Sequence, residues 1–413
     1  GTGIRNSGGT PVLGSNCVFN PDGTDYDGLS AGTGDIAVNP KLQAAAYGWL
    51  HIQPDSPCVD AGLDSVVGAG GTDMDGQARI QGSHVDIGAD ESDGTVWPEY
   101  DPVIVRVSPD GVDDAAHDGS SWPLAKRTVQ AGIEAASAGG GDVWVEAGVY
   151  NERIRLPAYV YLYGGFAGAE SSRDERDWGV NSTVLDGGGN DYVVTARRGY
   201  RVSGIDGFTI RNGGHGIDCS SSSPSITNNA IAGNGYGIFC RGYTAPSITN
   251  NTITRNRAAG VYCAGASAPI TNNTITGNGN GIMCLFSSSP AVTNNAISGN
   301  YVSGIFCDES LPVITNNTIS GNGGNGIVCS RSSPAITNNT ISGNGIHGIS
   351  CASSSSAITN NIISFNVTGI SNGSGGTPVL RNNCVYNPNG KNYGNLSAGT
   401  GDINADPGFQ SGA

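Results

Sequence analysis

Hydrophobic positions recur with a fixed period through the second half of the chain. Two aliphatic columns repeat every 22 residues, and a third, at nearly the same spacing, follows a Gly-Ile or Gly-Val step. Between them apolar and polar residues alternate, as in Ile-x-Cys, which is the periodicity of a β-strand. Gly, Pro and β-branched residues replace the helix formers that a helical repeat requires. The pattern predicts one coil of a parallel β-solenoid per repeat, with coils about 4.8 Å apart. The first two columns are Ile226, Ile248, Ile270, Val292, Ile314, Ile336, Ile358 and Leu380, and Ile231, Ile253, Ile275, Ile297, Ile319, Ile341, Ile363 and Val385.

An Asn-Asn pair begins at the same point of every coil. Stacked Asn side chains can hydrogen-bond amide to amide along a solenoid axis, and Asn tolerates the left-handed conformation of a tight corner. We therefore interpret the first Asn of each pair as a member of a structural ladder rather than as a ligand. These residues are Asn228, Asn250, Asn272, Asn294, Asn316, Asn338, Asn360 and Asn382.

Seven of the ten cysteines fall one to a coil, each two residues after the aliphatic of the third column. They share its parity and should point inward. Stacked side chains about 4.8 Å apart do not converge as disulfides require, and the Cys-x-x-Cys spacing of zinc sites is absent. We predict buried, unpaired thiols that pack as small hydrophobic residues. They are Cys219, Cys240, Cys263, Cys284, Cys307, Cys329 and Cys351.

Charge is distributed unevenly along the chain. The net charge of −15 argues against a nucleic-acid partner, which needs a basic footprint. Residues 201–413 hold only 8 basic and 6 acidic side chains, whereas residues 1–200 hold 12 and 29. No apolar run reaches the roughly 18 residues of a membrane span, so none is expected.

The chain contains an internal duplication. Residues 8–43 align without gaps to residues 375–410, with 23 identities in 36 positions. We interpret the chain as one period of a tandem array, cut out of phase. The expected divisions are the last coils of a preceding module (1–45), a module-closing segment (46–92), a linker (93–103), the opening and first coils of the next module (104–200), regular 22-residue coils (201–390) and a final segment (391–413) equivalent to 24–46.

Residues 126–138 can form a short amphipathic helix through Val129 and Ile133. The helix falls just before the first strands of the second module. The open end of a solenoid needs a cap, so we expect this helix to cover it.

Several segments carry a family resemblance. The repeats, together with residues 118–122, 141–150, 163–168 and 56–62, resemble right-handed parallel β-helix proteins of the pectate-lyase-like superfamily, including bacterial and archaeal surface proteins of tandem-module type. The resemblance implies an all-β fold, a right-handed parallel β-helix of 22-residue coils. It does not imply one activity, because the fold hosts lyases, hydrolases, adhesins and fibres alike.

Enzymes of the superfamily that this chain resembles act on acidic polysaccharides through carboxylate clusters, often with calcium. Coils 219–363 offer only Asp308 and Glu309 as acids, and neighbours on a strand face opposite ways. His215 and His347 stand alone in the sequence. Two charged clusters precede the coils, and we interpret both as solvated loops. They are Asp110, Asp113, Asp114, His117 and Asp118, and Arg173, Asp174, Glu175, Arg176 and Asp177.

No catalytic residue, metal site or cofactor is therefore predicted. Asp73 and Asp75 before Gly76 loosely resemble the start of a calcium loop, but the remaining ligand positions do not follow. Calcium is the only cofactor that the sequence suggests, and the signal is weak.

The duplication and the nearly uncharged coils favour a structural protein, outside the cell or on its surface. We expect a β-helix module of a tandem array or head-to-tail filament, such as a fibre, surface layer or adhesin, and no enzyme. No closing segment follows residue 413, so the expected partners are copies of itself head to tail, and also cell-surface polysaccharide.

The alternative is a carbohydrate-active enzyme, a polysaccharide lyase or hydrolase with its site near residues 110–177, or a polysaccharide-binding module. A column of hydroxyls beside the Asn pairs supports the binding version, although one column is narrower than the flat arrays that bind sugars or ice. Its members are Thr227, Thr249, Thr271, Thr293, Thr315, Thr337 and Thr359.

Overall fold

The computed structural model describes residues 2–21, 23–44, 50–68, 71–73, 77–97, 103–196, 203–220 and 222–409. Contacts divide the chain into two compact units, residues 1–102 and residues 103–413. The finer division predicted above, at residues 45, 92, 103, 200 and 390, stays a prediction.

The first unit has little regular structure. Its strands are β1 (Thr2–Arg5), β2 (Thr24–Asp27), β3 (Leu42–Ala44) and β4 (Leu50–Ile52). Strands β1 and β2 pair in parallel, as the last turns of a solenoid would, and β3 and β4 form an antiparallel pair. A single 3₁₀ turn follows at Asp64–Val66.

The second unit is an all-β parallel solenoid. One sheet has twelve strands, which stack in the order of the coils. They are β5 (Val103–Val107), β6 (Gly141–Glu146), β9 (Val160–Phe166), β11 (Gly204–Asp206), β13 (Ser225–Thr227), β16 (Ser247–Thr249), β19 (Ile270–Thr271), β22 (Ala291–Thr293), β25 (Val313–Thr315), β28 (Ala335–Thr337), β31 (Ala357–Thr359) and β34 (Val379–Arg381).

Two further parallel ladders complete the coils. Both start from the long strands β10 (Thr183–Ala196) and β12 (Phe208–Asp218), which β7 (Gly148–Tyr150) and β8 (Ile154–Leu156) join. The first continues through β14 (Ala230–Ala232), β17 (Thr252–Thr254), β20 (Thr274–Thr276), β23 (Ala296–Ser298), β26 (Thr318–Ser320), β29 (Thr340–Ser342), β32 (Ile362–Ser364) and β35 (Cys384–Tyr386). The second continues through β15 (Tyr236–Arg241), β18 (Ala259–Ala264), β21 (Asn280–Leu285), β24 (Ile305–Asp308), β27 (Ile327–Ser330), β30 (His347–Ala352), β33 (Thr368–Asn372) and β36 (Lys391–Gly394).

The aliphatic columns fill the interior of the solenoid. Residues one coil apart stand in register, as Ile248 does with Ile270 and Cys263 with Cys284. The seven coil cysteines are all buried and carry no disulfide. The Gly of the Gly-Ile step is required by close packing, because a Cβ at Gly237 would lie 2.5 Å from the carbonyl oxygen of Gly260.

The structure divides the two roles of the Asn pair between its members. The first Asn of each pair takes the left-handed conformation, with φ between 53° and 59°. The amide ladder is formed by the second Asn, so assigning it to Asn228, Asn250, Asn272, Asn294, Asn316, Asn338, Asn360 and Asn382 was wrong. The left-handed corner turns the first side chain outward and aims the next one into the coil. The ladder residues are Asn229, Asn251, Asn273, Asn295, Asn317, Asn339, Asn361 and Asn383.

Each ladder amide uses its full hydrogen-bonding capacity. Asn295 Oδ1 accepts from the backbone N–H and from Nδ2 of Asn273, at 2.9 and 3.0 Å. Its own Nδ2 donates to Asn317 and to the carbonyl of Ile270. A second ladder of the same kind runs from Asn234 to Asn366. Buried polar groups satisfied this completely rigidify the coils at little net cost.

Helix α1 (Val129–Ala136) packs against β5 and β6 of the solenoid, within the predicted range 126–138. Thr128 Oγ1 caps it by accepting from the N–H of Ala131, and Glu152 accepts from the first two helical N–H groups. Val129 and Ile133 are buried as predicted. In the part of the chain described here, no helix is long and apolar enough to cross a membrane.

The duplicated segments form the same local contacts. In the first unit Asn16 donates its backbone N–H and Nδ2 to Asp35 at 2.8 and 2.9 Å. In the second, Asn383 donates to Asp402 at the same two distances. The aligned sequences therefore build the same structure twice.

Candidate functional site

An aromatic face lies on the outer side of the second ladder, where the solenoid begins. In register on successive coils are Tyr192, His215 and Tyr236, and beside them Phe239 and Tyr262. Because one coil separates the members of each column, residues far apart in the sequence meet here.

His215 and Asp218 form a dyad at the centre of this face. Nδ1 of His215 lies 3.2 Å from Oδ2 of Asp218, whose side chain is only 3% exposed. Burial works to raise the pKa of Asp218, but hydrogen bonds from His215 and from Ser220 outweigh it and lower the pKa. An ionised carboxylate on Nδ1 fixes the tautomer of an imidazole and leaves Nε2 to accept a proton.

Aromatic packing fixes the orientation of the imidazole. The ring stacks on Phe239 with centroids 4.2 Å apart, and Phe239 stacks on Tyr262 at 4.6 Å. Tyr236 meets His215 edge-on at 5.4 Å. The stacked faces lie along the axis and show only their edges to solvent, so these rings position His215 rather than form a flat platform for a sugar.

Two arginines lie on the two coils that follow that of His215. Arg241 lies beyond the end of the stack, with its guanidinium carbon 5.8 Å from the Phe239 ring centroid. Arg257 lies on the next coil, where its N–H donates to the carbonyl of Asn234, two residues before Tyr236. Both are exposed, and neither pairs with a carboxylate in the described parts of the chain. In the described structure both guanidinium groups are therefore open to an anion.

The acidic cluster predicted at residues 110–118 stabilises local turns. Asp113 accepts from the backbone N–H groups of Arg127 and Thr128, just before α1. Asp114 bonds to His117 Nδ1 at 2.7 Å, and Asp118 accepts from the N–H of Ser120. Asp110 donates its N–H to Ser108 Oγ. The structure does not bring these residues together as a site.

The second cluster anchors a loop on the twelve-stranded sheet. The nearly buried Arg176 donates to Asp206 Oδ1 at 2.8 Å and to the carbonyls of Gly164 and Asp206. Arg173 donates to the hydroxyl of Tyr163 at 3.1 Å. Glu175 and Asp177 accept from backbone N–H groups within the loop.

A cavity of about 510 Å³ lies beside this loop. It is lined by Tyr163, Arg173, Asp174, Arg176, Trp178 and Asp206. The guanidinium of Arg176 is already hydrogen-bonded to Asp206 and to backbone carbonyls, so it has little capacity left to bind a ligand in this cavity.

The acids on the regular coils are arranged differently from the prediction. Strand β24 ends at Asp308, and Glu309 takes a left-handed conformation with φ of 48°. Both carboxylates therefore reach one guanidinium, that of Arg331, at 2.6 and 3.2 Å. They form a surface ion pair rather than a pair of opposed carboxylates.

The calcium suggestion cannot be followed in full, because Asp75 and Gly76 lie outside the described residues. The Asp73 carboxylate accepts from the N–H groups of Gln77 and Glu91. Within the described ranges no group of three or more His, Cys, Asp and Glu could hold a metal ion.

Sequence reasoning missed the aromatic face because, on the strands of the second ladder, it followed only the inward columns. The position between the aliphatic and the Cys of each coil points outward, and it is Phe239, Tyr262, Met283 and Phe306 on four successive coils. Asp218 holds that position on the coil of His215. Reading the outward column would have placed the supposedly lone His215 among these residues.

Comparison with known proteins supports the architecture. Residues 215–358 match the family model of the right handed beta helix region. The fold is a right-handed parallel β-helix. No curated protein sequence matches the chain.

Solved structures that resemble this chain include polysaccharide-modifying enzymes and a tailspike protein. The A-module of mannuronan C-5 epimerase AlgE4 from Azotobacter vinelandii matches with a TM-score of 0.52 and 19% identity, over 67% of this chain and 95% of the module. The AlgE6 A-module of the same organism gives 0.48 and 17%, over 68% and 94%. An α-1,3-glucanase from Streptomyces thermodiastaticus gives 0.42 and 18%, over 68% and 66%.

At these identities the likeness establishes the fold alone. It nevertheless contradicts our expectations of a structural protein and of no enzyme, because the A-module that this chain matches with a TM-score of 0.52 belongs to an epimerase. A nearly uncharged coil array is therefore a poor argument against catalysis. A few outward side chains on the first coils are enough to build a site.

Proposed function

We propose that this protein is a carbohydrate-active enzyme that binds an acidic polysaccharide along the aromatic face and transfers a proton through His215. The observation that carries the proposal is the dyad, in which a buried carboxylate lies 3.2 Å from Nδ1 of a stacked, partly exposed imidazole. The match to a mannuronan epimerase module supports the choice of substrate class.

The composition of the site favours proton abstraction over hydrolysis. Glycoside hydrolysis usually needs two carboxyl groups on opposite sides of the scissile bond. The described part of this face offers one, Asp218, and it is buried against His215. A single base suits the removal of a proton next to the carboxylate of a uronic acid, which is the first step of both epimerisation and eliminative cleavage.

Each group at the site has a role in that reaction. His215 Nε2 takes the proton from the carbon next to the substrate carboxylate. Arg241 and Arg257 would hold that carboxylate and stabilise the charge that develops on it. The hydroxyl of Tyr236, on the adjacent coil, could return a proton to the carbanion or to the leaving oxygen.

An acidic polysaccharide is the expected partner, and we infer that the enzyme works outside the cytoplasm, where such polymers occur. Head-to-tail contact between copies stays a prediction from the sequence.

The test incubates the purified chain in D₂O with polymannuronate, polyguluronate and polygalacturonate in turn. Deuterium at the carbon next to the carboxylate, measured by NMR, would reveal proton exchange. Ultraviolet absorbance of unsaturated ends would show that elimination follows. New reducing ends with neither signal would indicate hydrolysis and contradict the proposal, as would the absence of any change in all three polymers.

A further inference from the structure

A cavity lies between helix α1 and the strands that begin the second ladder. Its volume is about 850 Å³. Helix α1 forms one wall, and β8 with the last part of β10 forms the other. The polar groups of the walls are those of Gln130 and Glu134 on the helix, Arg153 and Arg155 at β8, and Tyr192 and Thr195 on β10.

The cavity adjoins the dyad on the same face of the solenoid. The ring of Tyr192, in the cavity wall, lies 5.2 Å from the ring of His215. Thr195 is in register with Asp218 on the following coil, and Arg155 is in register with Thr195 on the coil before. Arg155 therefore precedes Asp218 by two coils in one outward column, which is about 10 Å along the axis.

The walls of the cavity carry more positive than negative charge. Arg153 and Arg155 lie on either side of the buried Ile154, and both are exposed, so both side chains point away from the core. Neither guanidinium forms an ion pair in the described parts of the chain. Glu134 is the one acid among the described lining residues, and Gln130 Nε2 donates to its carboxylate at 3.2 Å. The cavity can therefore accept an anionic group.

Hydrogen bonds hold the two walls of the cavity in place. Gln130 Oε1, on the helix, accepts from the backbone N–H of Arg155 at 2.8 Å. The Glu152 carboxylate, just before β8, accepts from the first two N–H groups of the helix at 2.7 and 3.0 Å. The helix and the strand are thus fixed to each other, and a ligand would not have to order them on binding.

We propose that this cavity is a second binding subsite for the acidic polysaccharide, in which Arg155 and Arg153 bind the carboxylate of another uronate of the same chain. The choice of ligand rests on the proposed function. One sugar residue of an extended polysaccharide is roughly as long as the spacing between coils, so this uronate would be about two residues from the one at His215. The polymer would then run along the axis, past the dyad and on to the coils of Arg241 and Arg257.

The two arginines of the subsite contribute to binding and not to proton transfer. Arg155 is two coils away from Asp218, too far to reach the carbon that His215 deprotonates. A contact that is equally strong before and during the reaction lowers KM and leaves kcat unchanged. Substitutions in the subsite should therefore raise KM for a long substrate without changing kcat.

The experiment measures binding by titration calorimetry, in a His215→Gln background so that the ligand is not consumed. The ligands are a mannuronate octamer and a neutral mannose octamer. We expect Arg155→Gln to weaken binding of the mannuronate octamer about 5-fold, and Arg153→Gln with Arg155→Gln about 20-fold. Arg155→Lys keeps the charge and should keep most of the affinity, whereas Glu134→Gln removes a like charge and should raise the affinity about 2-fold. The affinity for the neutral octamer should not change in any of these variants.

The matched control is Arg381→Gln, which removes the same charge from an exposed position on β34 of the twelve-stranded sheet. It should leave the affinity for the mannuronate octamer unchanged. An equal loss in this control would overturn the proposal, because the arginines would then act only through the general charge of the protein. An unchanged affinity in the double variant would overturn it as well.

Kinetics of the chain that retains His215 separate this proposal from the proposed function. Proton exchange with the same KM in the wild-type chain and in the double variant would remove the subsite and leave the reaction standing. Weaker octamer binding in the double variant, in a protein whose wild-type chain exchanges no proton, would support the subsite and remove the reaction. No binding of the mannuronate octamer when both arginines are present would overturn both.

Discussion

Two pentapeptides on one face of the solenoid differ at a single residue. Residues 215–219 read His-Gly-Ile-Asp-Cys, and residues 347–351 read His-Gly-Ile-Ser-Cys. Both histidines occupy the same outward column, and Ile217 and Ile349 are both fully buried. The inward residues that build the coil are therefore identical at the two places.

The outward surroundings of the two histidines differ. His215 has Asp218 on Nδ1 and Phe239 under its ring. Nδ1 of His347, in contrast, is buried with no hydrogen-bond partner among the described residues, and desolvation lowers the pKa of this histidine. The position that Phe239 takes on the coil after His215 is Ser371 on the coil after His347. The same kind of coil thus holds an imidazole paired with a carboxylate at one end and an imidazole with Ser350 in place of that carboxylate at the other, and outward side chains distinguish the two.

The largest expected effect comes from substituting each of the two histidines in turn. His215→Gln should lower the rate of proton exchange in the polysaccharide assay by about 10²–10⁴-fold, because the general base is lost. His347→Gln is the matched control and should leave the rate unchanged. Deuterium incorporation measured by NMR checks both variants. Equal losses would mean that both substitutions act through the fold, and equal retention would remove His215 from the reaction.

The next prediction concerns the Asn ladder, which belongs to the coil structure that the two regions share. Asn317→Ala should destabilise the solenoid by about 3 kcal/mol, because the buried N–H and Nδ2 of Asn295 would lose their acceptor. Asn316→Gly keeps the left-handed corner, where φ is 59°, and should cost less than about 1 kcal/mol. Urea unfolding of the two variants measures the difference. A similar cost for both would argue against the ladder as a source of stability.

A third prediction concerns the carboxylate that distinguishes the pentapeptides. Asp218→Asn keeps the shape of the side chain but can no longer fix the protonated tautomer of His215. We expect an activity loss of about 10²–10⁴-fold, no larger than that of His215→Gln. Because the pKa of Asp218 is lowered in the folded state, its ionisation stabilises the protein above the unfolded pKa, and this stabilisation is lost as the pH falls through the folded value.

Unfolding at pH 7 and at pH 3 should therefore show a smaller loss of stability in Asp218→Asn than in the wild-type chain. A variant with full activity and wild-type acid sensitivity would mean that the carboxylate contributes to neither property.

The fold could be read from the sequence because the solenoid repeats its inward residues at a fixed spacing. The Asn ladder was placed one residue early, since adjacent positions of a strictly repeated pair share the same period. The site could not be found in this way. His215 and Tyr236 meet across a coil of 21 residues, and Phe239 meets Tyr262 across one of 23, so the set does not recur at the 22-residue period.

The two charged clusters, which we interpreted from the sequence as solvated loops, make local contacts. Asp113 and Arg176 form hydrogen bonds with backbone groups and with neighbouring side chains. The high density of charged residues in these two segments therefore reflects turns and loops. The sequence shows where charged residues lie, but only the folded structure shows which of them have no partner within the protein and can bind a ligand.

The smallest expected effect comes from a substitution that makes the surroundings of His347 more like those of His215. Ser350→Asp would make residues 347–351 identical to residues 215–219, with a carboxylate three residues after His347. Desolvation lowers the pKa of His347 in the wild-type chain, and an adjacent negative charge should raise it by about one unit. An NMR titration of the imidazole measures the shift, with Ser350→Asn as the uncharged control.

The sign of the stability change follows from this shift. A lowered histidine pKa means that the folded state binds protons less readily than the unfolded state, so the wild-type protein loses stability as the pH falls below the unfolded pKa, about 6.5. Ser350→Asp should reduce that loss, and Ser350→Asn should not. The variant should gain no activity, because nothing equivalent to Phe239 orients His347. A pKa unchanged by the carboxylate would mean that the coil, and not the fourth residue of the pentapeptide, sets the state of the histidine.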